Sequence, residues 1–116
     1  VSPYPADLAD AGCRYWESAG LDIKAKLRVD PQIHDTHRIY EMTSDDALAA
    51  LRSIDLSGAD CVVASGTGMP TVRALQTFRR ECALPVLSSN LCLAWALTRI
   101  AAPELAPALP ADLLGP

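Results

Sequence analysis

The chain has 116 residues, half of them apolar, and a formal charge of −4, enough for one domain around one core and not for two. Nucleic acid is a poor partner, because neutralising phosphates needs a basic surface, and no apolar run approaches the roughly 20 residues that span a bilayer. Val1 to Pro5 show neither the basic region nor the apolar core of a signal peptide, so the cytoplasm is the expected compartment.

Ser2-Pro3-Tyr4-Pro5 reads as a loop leading into a helix that runs to about Ala19 and stops at Gly20, with Leu8, Ala11, Tyr15 and Ala19 as its buried stripe. Leu21 to Val29 then alternates. Leu21, Ile23, Ala25, Leu27 and Val29 fall on one side and Asp22, Lys24, Lys26 and Arg28 on the other, the period of a strand near a sheet edge with one wet face. Asp30 to Met42 has no clean period. His34 and His37 stand three apart there, but no third ligand follows at metal spacing, so both are expected as solvated loop side chains and no metal is expected. Thr43 to Asp46 has the form of a capping box, and Ala47, Leu48, Leu51 and Ile54 supply the buried face of the helix it opens.

Ser57-Gly58 turns the chain into a strand over Asp60 to Ser65. Gly66-Thr67-Gly68-Met69 follows, and a helix starts at Pro70 or Thr71 and runs to about Cys82, packing through Val72, Leu75, Phe78 and Cys82. In a parallel sheet such a strand-to-helix junction lies at the carboxyl edge, where loop and helix-start N–H groups favour an anion such as a carboxylate or phosphate. The same glycines also fit a tight turn with no ligand. Pro85 to Ser88 is the next strand, and Ser88-Ser89-Asn90 caps a helix from Leu91 to Ala101. Leu91 to Leu97 is apolar on all sides, which suits a buried helix or a subunit contact. The prolines from Pro103 onward mark a tail, draped or disordered. The order of elements gives an α/β domain over 1–102, with a parallel sheet and right-handed crossovers, and a tail over 103–116.

Four cysteines, Cys13, Cys61, Cys82 and Cys92, are spread along the chain without a C-x-x-C pair. They are expected as reduced, buried thiols.

Three loops gather at one edge in this reading: Ser2-Pro3-Tyr4, Ser65 to Pro70, and Ser88-Ser89-Asn90. Together with the stretch from Pro85 to Leu91 they resemble the carboxyl-terminal half of the aspartate/glutamate racemase superfamily, in the branch of the maleate cis-trans isomerases and arylmalonate decarboxylases. The similarity spans nearly all of Val1 to Ile100.

The resemblance implies one of two α/β halves that face each other across a cleft. Each half is a three-layer, flavodoxin- or Rossmann-like parallel sheet with helices on both faces. Its strand order would be 2-1-3-4, and here the central first strand is reduced to Val1. Removing a middle strand orphans backbone groups at about 1–3 kcal/mol each, so a missing amino-terminal half or a second chain is expected to fill the gap.

The family works without a cofactor, through a cysteine at the strand-end loop of each half. Where relatives carry Ser-Cys-Thr-Asn or Ser-Cys-Gly-Gly, this chain has Ser65-Gly66-Thr67-Gly68. Glycine neither transfers a proton nor attacks carbon. What remains is a carboxylate cradle, with Tyr4, Ser65, Gly66, Thr67, Gly68, Met69, Ser89 and Asn90 as its binding residues.

Of the other thiols, Cys61 lies about four residues and ~13 Å before the loop, out of reach. Cys92 is nearer, in the first turn of a helix, where the helix start lowers a thiol pKa. The implied function is an isomerase, racemase or decarboxylase half-site for a small dicarboxylate such as maleate or an arylmalonate. The alternative is a binding or regulatory module that holds the acid without turning it over. A dinucleotide site fits poorly, since Thr71 stands where the fingerprint needs its third glycine and no Gly-Lys-Ser/Thr is present.

Overall fold

Two short apolar runs, β1 (Val62–Ala64) and β2 (Val86–Ser88), pair in parallel in a computed structural model that describes residues 1–115. Pro116, the last residue of the expected tail, lies outside the described residues. Val62 stands opposite Val86, Val63 opposite Leu87 and Ala64 opposite Ser88. Parallel strands need a crossover, and α3 (Val72–Phe78) supplies it. The α/β class with a parallel sheet therefore holds.

The core gathers on this side of the molecule. Leu51, from α2 (Ser44–Ser53), and Leu75, from α3, are fully buried, and Ala47, Ala64, Met69, Ala74 and Phe78 pack with them. The capping box starts α2 as its residues dictate: the Asp46 N–H donates to Thr43 Oγ1 at 3.2 Å, and the Thr43 N–H donates to the Asp46 carboxylate at 2.8 Å. The Thr43 hydroxyl, which donates to the Asp46 carboxylate at 2.7 Å, and the Thr43 N–H hold that carboxyl below its ordinary pKa. Helix α4 (Ser89–Ala101) begins two residues earlier than its sequence suggests, because Ser88 alone caps it by accepting the Leu91 N–H at 3.2 Å. Helix α3 ends at Phe78 rather than Cys82, and Val72 is exposed rather than packed.

The tail is docked. Trp95 Nε1 donates to the Pro107 carbonyl at 2.9 Å, Gln76 Nε2 to the Leu114 carbonyl at 3.0 Å and Arg79 to the Ala111 carbonyl at 3.1 Å, and Leu114 is buried.

On the other flank of β1, Val1 and Ser2 form a two-residue piece of sheet. The Val1 amine donates to the Val63 carbonyl at 2.7 Å and the Ser65 N–H to the Val1 carbonyl at 2.8 Å. Facing the opposite way, the Ser2 N–H donates to the Leu27 carbonyl and the Val29 N–H to the Ser2 carbonyl, both at 2.9 Å, in a parallel bridge to Arg28. Below Val1 the two flanks part around a cleft of about 790 Å³, lined on one rim by Leu21 to Leu27 and on the other by Ala59 to Val63.

The expected strand over Leu21 to Val29 is accordingly absent as a ladder. Its residues alternate as a strand should, but a strand needs a neighbour to pair with. Helix α1 (Ala6–Ser18) corrects the expected stripe: Tyr15 is 71% exposed, Leu8, Ala11 and Ala19 are exposed, and only Ala9 is buried. The apolar face it does own, Leu8, Ala9, Gly12, Cys13 and Trp16, overhangs the cleft. Among the described residues no other helix or strand packs closely on α1.

The thiols also depart from expectation. All four are free, but Cys61 is exposed and Cys13, Cys82 and Cys92 are half-buried. Burial pushes the Cys92 thiol up, not down. Desolvation of the thiolate outweighs the helix start.

Candidate functional site

The strand-end loop after β1 is shaped by two glycines. Gly66 has φ +94°, and a Cβ there would lie 2.6 Å from Pro3 Cγ and 3.5 Å from Tyr4 Cε2. A side chain at this position is opposed by backbone conformation and by space alike. Gly68 is confined from the other side, where a Cβ would meet Ile39 Cγ2 at 3.2 Å and Tyr40 Cε1 at 3.1 Å. The loop thus threads between Pro3-Tyr4 and Ile39-Tyr40.

Between those walls lies an open hollow of about 160 Å³, lined by Tyr4, Thr36, His37, Ile39, Tyr40, Thr67 and Gly68. Among the described residues, the amide N–H groups of Gly66, Thr67 and Gly68 donate to no protein acceptor, and the Tyr4 and Thr67 hydroxyls have no protein partner. An anion that entered would meet free donors. Helix α3 starts only at Val72, so the donors belong to the loop rather than to the helix start.

The residues singled out in the sequence divide. Tyr4, Thr67 and Gly68 share the hollow. Gly66, with Ser65 and Ser89, lies toward the large cleft, which Tyr4 and Thr67 also touch. Ser65 bonds through its N–H and its hydroxyl, the latter at 3.3 Å, to the Val1 carbonyl. Met69 is 1% exposed and anchors the loop in the core. Asn90 Nδ2 donates to the Thr67 carbonyl at 3.1 Å and ties the loop to the start of α4. Cys92 is half-buried on α4, and Cys61 lines the cleft from the amino end of β1.

Sequence reasoning missed the outer wall of the hollow. Asp35 to Met42 is not irregular loop. Asp35 accepts the His37 N–H at 2.9 Å and opens a 3₁₀ helix, Thr36–Glu41, whose buried Ile39 holds Thr36, His37 and Tyr40 against the hollow. An aspartate two residues before a free N–H, with Ile39 and Met42 three apart, was the available signal. Both histidines are exposed, as expected.

The chain is similar to a maleate isomerase of Nocardia farcinica (strain IFM 10152), with 31% identity over 100 residues. The matched region is 85% of this chain but 39% of that protein. The chain therefore spans well under half the length of that relative. No family model matches the chain, and no solved structure gives a significant match. Among the described residues, no helix is long and apolar enough to cross a membrane.

Proposed function

We propose that this chain supplies one wall of the active site of a cytoplasmic, cofactor-independent isomerase, racemase or decarboxylase that acts on a small dicarboxylate such as maleate or an arylmalonate. The rest of the site comes from an amino-terminal half or a second subunit. The observation that carries this reading is the set of free donors around one hollow: the loop amides of Thr67 and Gly68 with the hydroxyls of Tyr4 and Thr67. Similarity to the maleate isomerase supports it. The bonds from Val1 and Ser2 to both flanks support a sheet of order 2-1-3-4, with Leu27–Val29 as its second strand.

In this chemistry the cradle holds one carboxylate of the substrate. When a thiol adds to the far carbon of the double bond, or carbon dioxide or a proton leaves the carbon beside the held carboxylate, negative charge spreads onto that carboxylate. Fixed N–H and O–H donors stabilise the charge as it grows. The thiol must come from outside this loop, because Gly66 has none and its surroundings refuse one. That same refusal favours a second reading, a module that holds a dicarboxylate and leaves it unchanged.

Titration of maleate into the 116-residue chain, followed by amide chemical shifts, tests the cradle. Thr67→Val and Tyr4→Phe are each expected to weaken binding by about 1 kcal/mol or more, the size of a hydrogen bond to a charged group. Unchanged affinity in both variants overturns the placement. Proton NMR in deuterated water on the longer polypeptide, with maleate, aspartate, glutamate and an arylmalonate, separates the two readings. Isomer change or deuterium exchange marks the enzyme, and saturable binding without either marks the module.

A further inference from the structure

We propose that His37 is the residue that selects a dicarboxylate over a monocarboxylate in the hollow: its imidazole takes the second carboxylate while the loop donors hold the first. This inference rests on the carboxylate reading of the cradle and adds to it the wall that stands opposite.

The size of the hollow sets the reach. At about 160 Å³ it falls below the roughly 300–1,000 Å³ of clefts that bury drug-sized ligands. An acid of a few carbons that touches the loop therefore touches the facing wall as well. That wall is fixed in place. Ile39 is buried, and a Cβ at Gly68 would meet Ile39 Cγ2 at 3.2 Å and Tyr40 Cε1 at 3.1 Å. The 3₁₀ helix Thr36–Glu41 thus lies directly on the loop that carries the Thr67 and Gly68 amides. The Asp35 carboxylate accepts the His37 N–H at 2.9 Å and sets the backbone that presents the ring.

Charge singles out His37. The inner wall offers neutral donors, and Thr36, Ile39 and Tyr40 add no charge at neutral pH. A second carboxylate gives up hydration on entering, and a partner of opposite charge offsets that loss best. Of the residues that line the hollow, His37 alone is able to carry a positive charge. Cations elsewhere are engaged: Arg38 pairs with Glu41 at 3.2 Å, while Lys24 and Lys26, which line the large cleft, pair with Asp22 and Asp10. Among the described residues the His37 ring makes no hydrogen bond to protein, and in either protonation state it keeps at least one N–H to donate. A monocarboxylate would use the cradle and leave His37 idle.

The test titrates the 116-residue chain with maleate and with cis-crotonate, in which a methyl group replaces one of the two carboxylates. Amide shifts of Thr67 and Gly68 report the cradle, and the ring C–H signals of His37 report the second contact. Both acids are expected to move the amides, and maleate alone the His37 ring. His37 is exposed, so the gain is that of a solvated pair: maleate should bind more tightly than cis-crotonate by about threefold or more. His37→Gln and His37→Ala should each bring that ratio close to one and leave cis-crotonate affinity unchanged. His34→Gln, on an exposed histidine outside the hollow, should leave the ratio as it is.

A ratio that survives both His37 variants overturns the proposal, and the cradle stands if cis-crotonate still moves the Thr67 and Gly68 amides. Equal losses for the two acids also overturn it, because His37 would then only shape the wall. So does an equal fall in the ratio with His34→Gln, which would mark a general effect of charge. If neither acid moves the loop amides of the parent chain, the cradle fails and the proposal falls with it.

Discussion

The two flanks of β1 are built from similar sequence and come out differently. Toward β2, three-residue strands, a seven-residue helix and α2 enclose fully buried leucines. Toward Leu21–Val29, a segment with a cleaner strand pattern than either β1 or β2 pairs at a single point, and a 13-residue helix lies with one residue buried. Intrinsic preference does not separate them. What separates them is whether a neighbour is there to take the ladder bonds and the apolar face, since most helical stability comes from packing of that face.

The largest expected effect tests the contrast directly. Leu75→Ala, on the enclosed flank, should cost about 2–5 kcal/mol in urea unfolding. Leu8→Ala on α1, at a residue 46% exposed, should cost less than about 1 kcal/mol. Equal losses would mean that α1 packs in solution as firmly as α3, and the contrast would fail.

A smaller effect is expected at the loop where the flanks meet. Gly66→Cys puts a thiol at the strand-end loop, but it sets a Cβ against Pro3 at a positive φ. It should lower stability by about 1–3 kcal/mol and leave the chain without thiol chemistry at the hollow. A variant as stable as the parent would show that Pro3 and the loop yield easily. The glycine would then not be a requirement of the backbone.

Legibility followed the range of the interaction. The Thr43–Asp46 box is local, so the residues alone specify it. The strand-end loop and its neighbour Tyr4 were likewise readable, because turn chemistry and a run of branched residues locate a strand end wherever the strand goes. The face of α1 was not readable. Two helical stripes were available, one through Tyr15 and one through Trp16, and the choice between them is made by whatever lies beneath. The His37–Tyr40 wall failed for another reason. A six-residue 3₁₀ turn has too short a period to stand out, and it gains its role from Ile39, which packs into a core assembled by distant residues. Ser65 and Met69 flank the cradle in sequence, but one bonds to Val1 and the other fills the core. Adjacency alone does not say which way a loop residue faces.

The smallest effect belongs to the seam itself. In the chain that begins at Val1, the amine donates to the Val63 carbonyl, yet desolvation dominates and lowers its pKa from the ordinary 8.0. The unfolded chain therefore keeps a proton up to about pH 8 that the folded chain has already released. Where the unfolded state binds more protons, stability rises with pH. Urea unfolding should show stability climbing as pH approaches 8 from below, and levelling above it. Acetylating the amine removes the titrating group while keeping an N–H for Val63, so the slope across that interval should flatten. A slope that survives acetylation would assign the titration elsewhere. The amine would then be as well solvated as a free chain end, and Val1 would not be a strand residue held between two flanks.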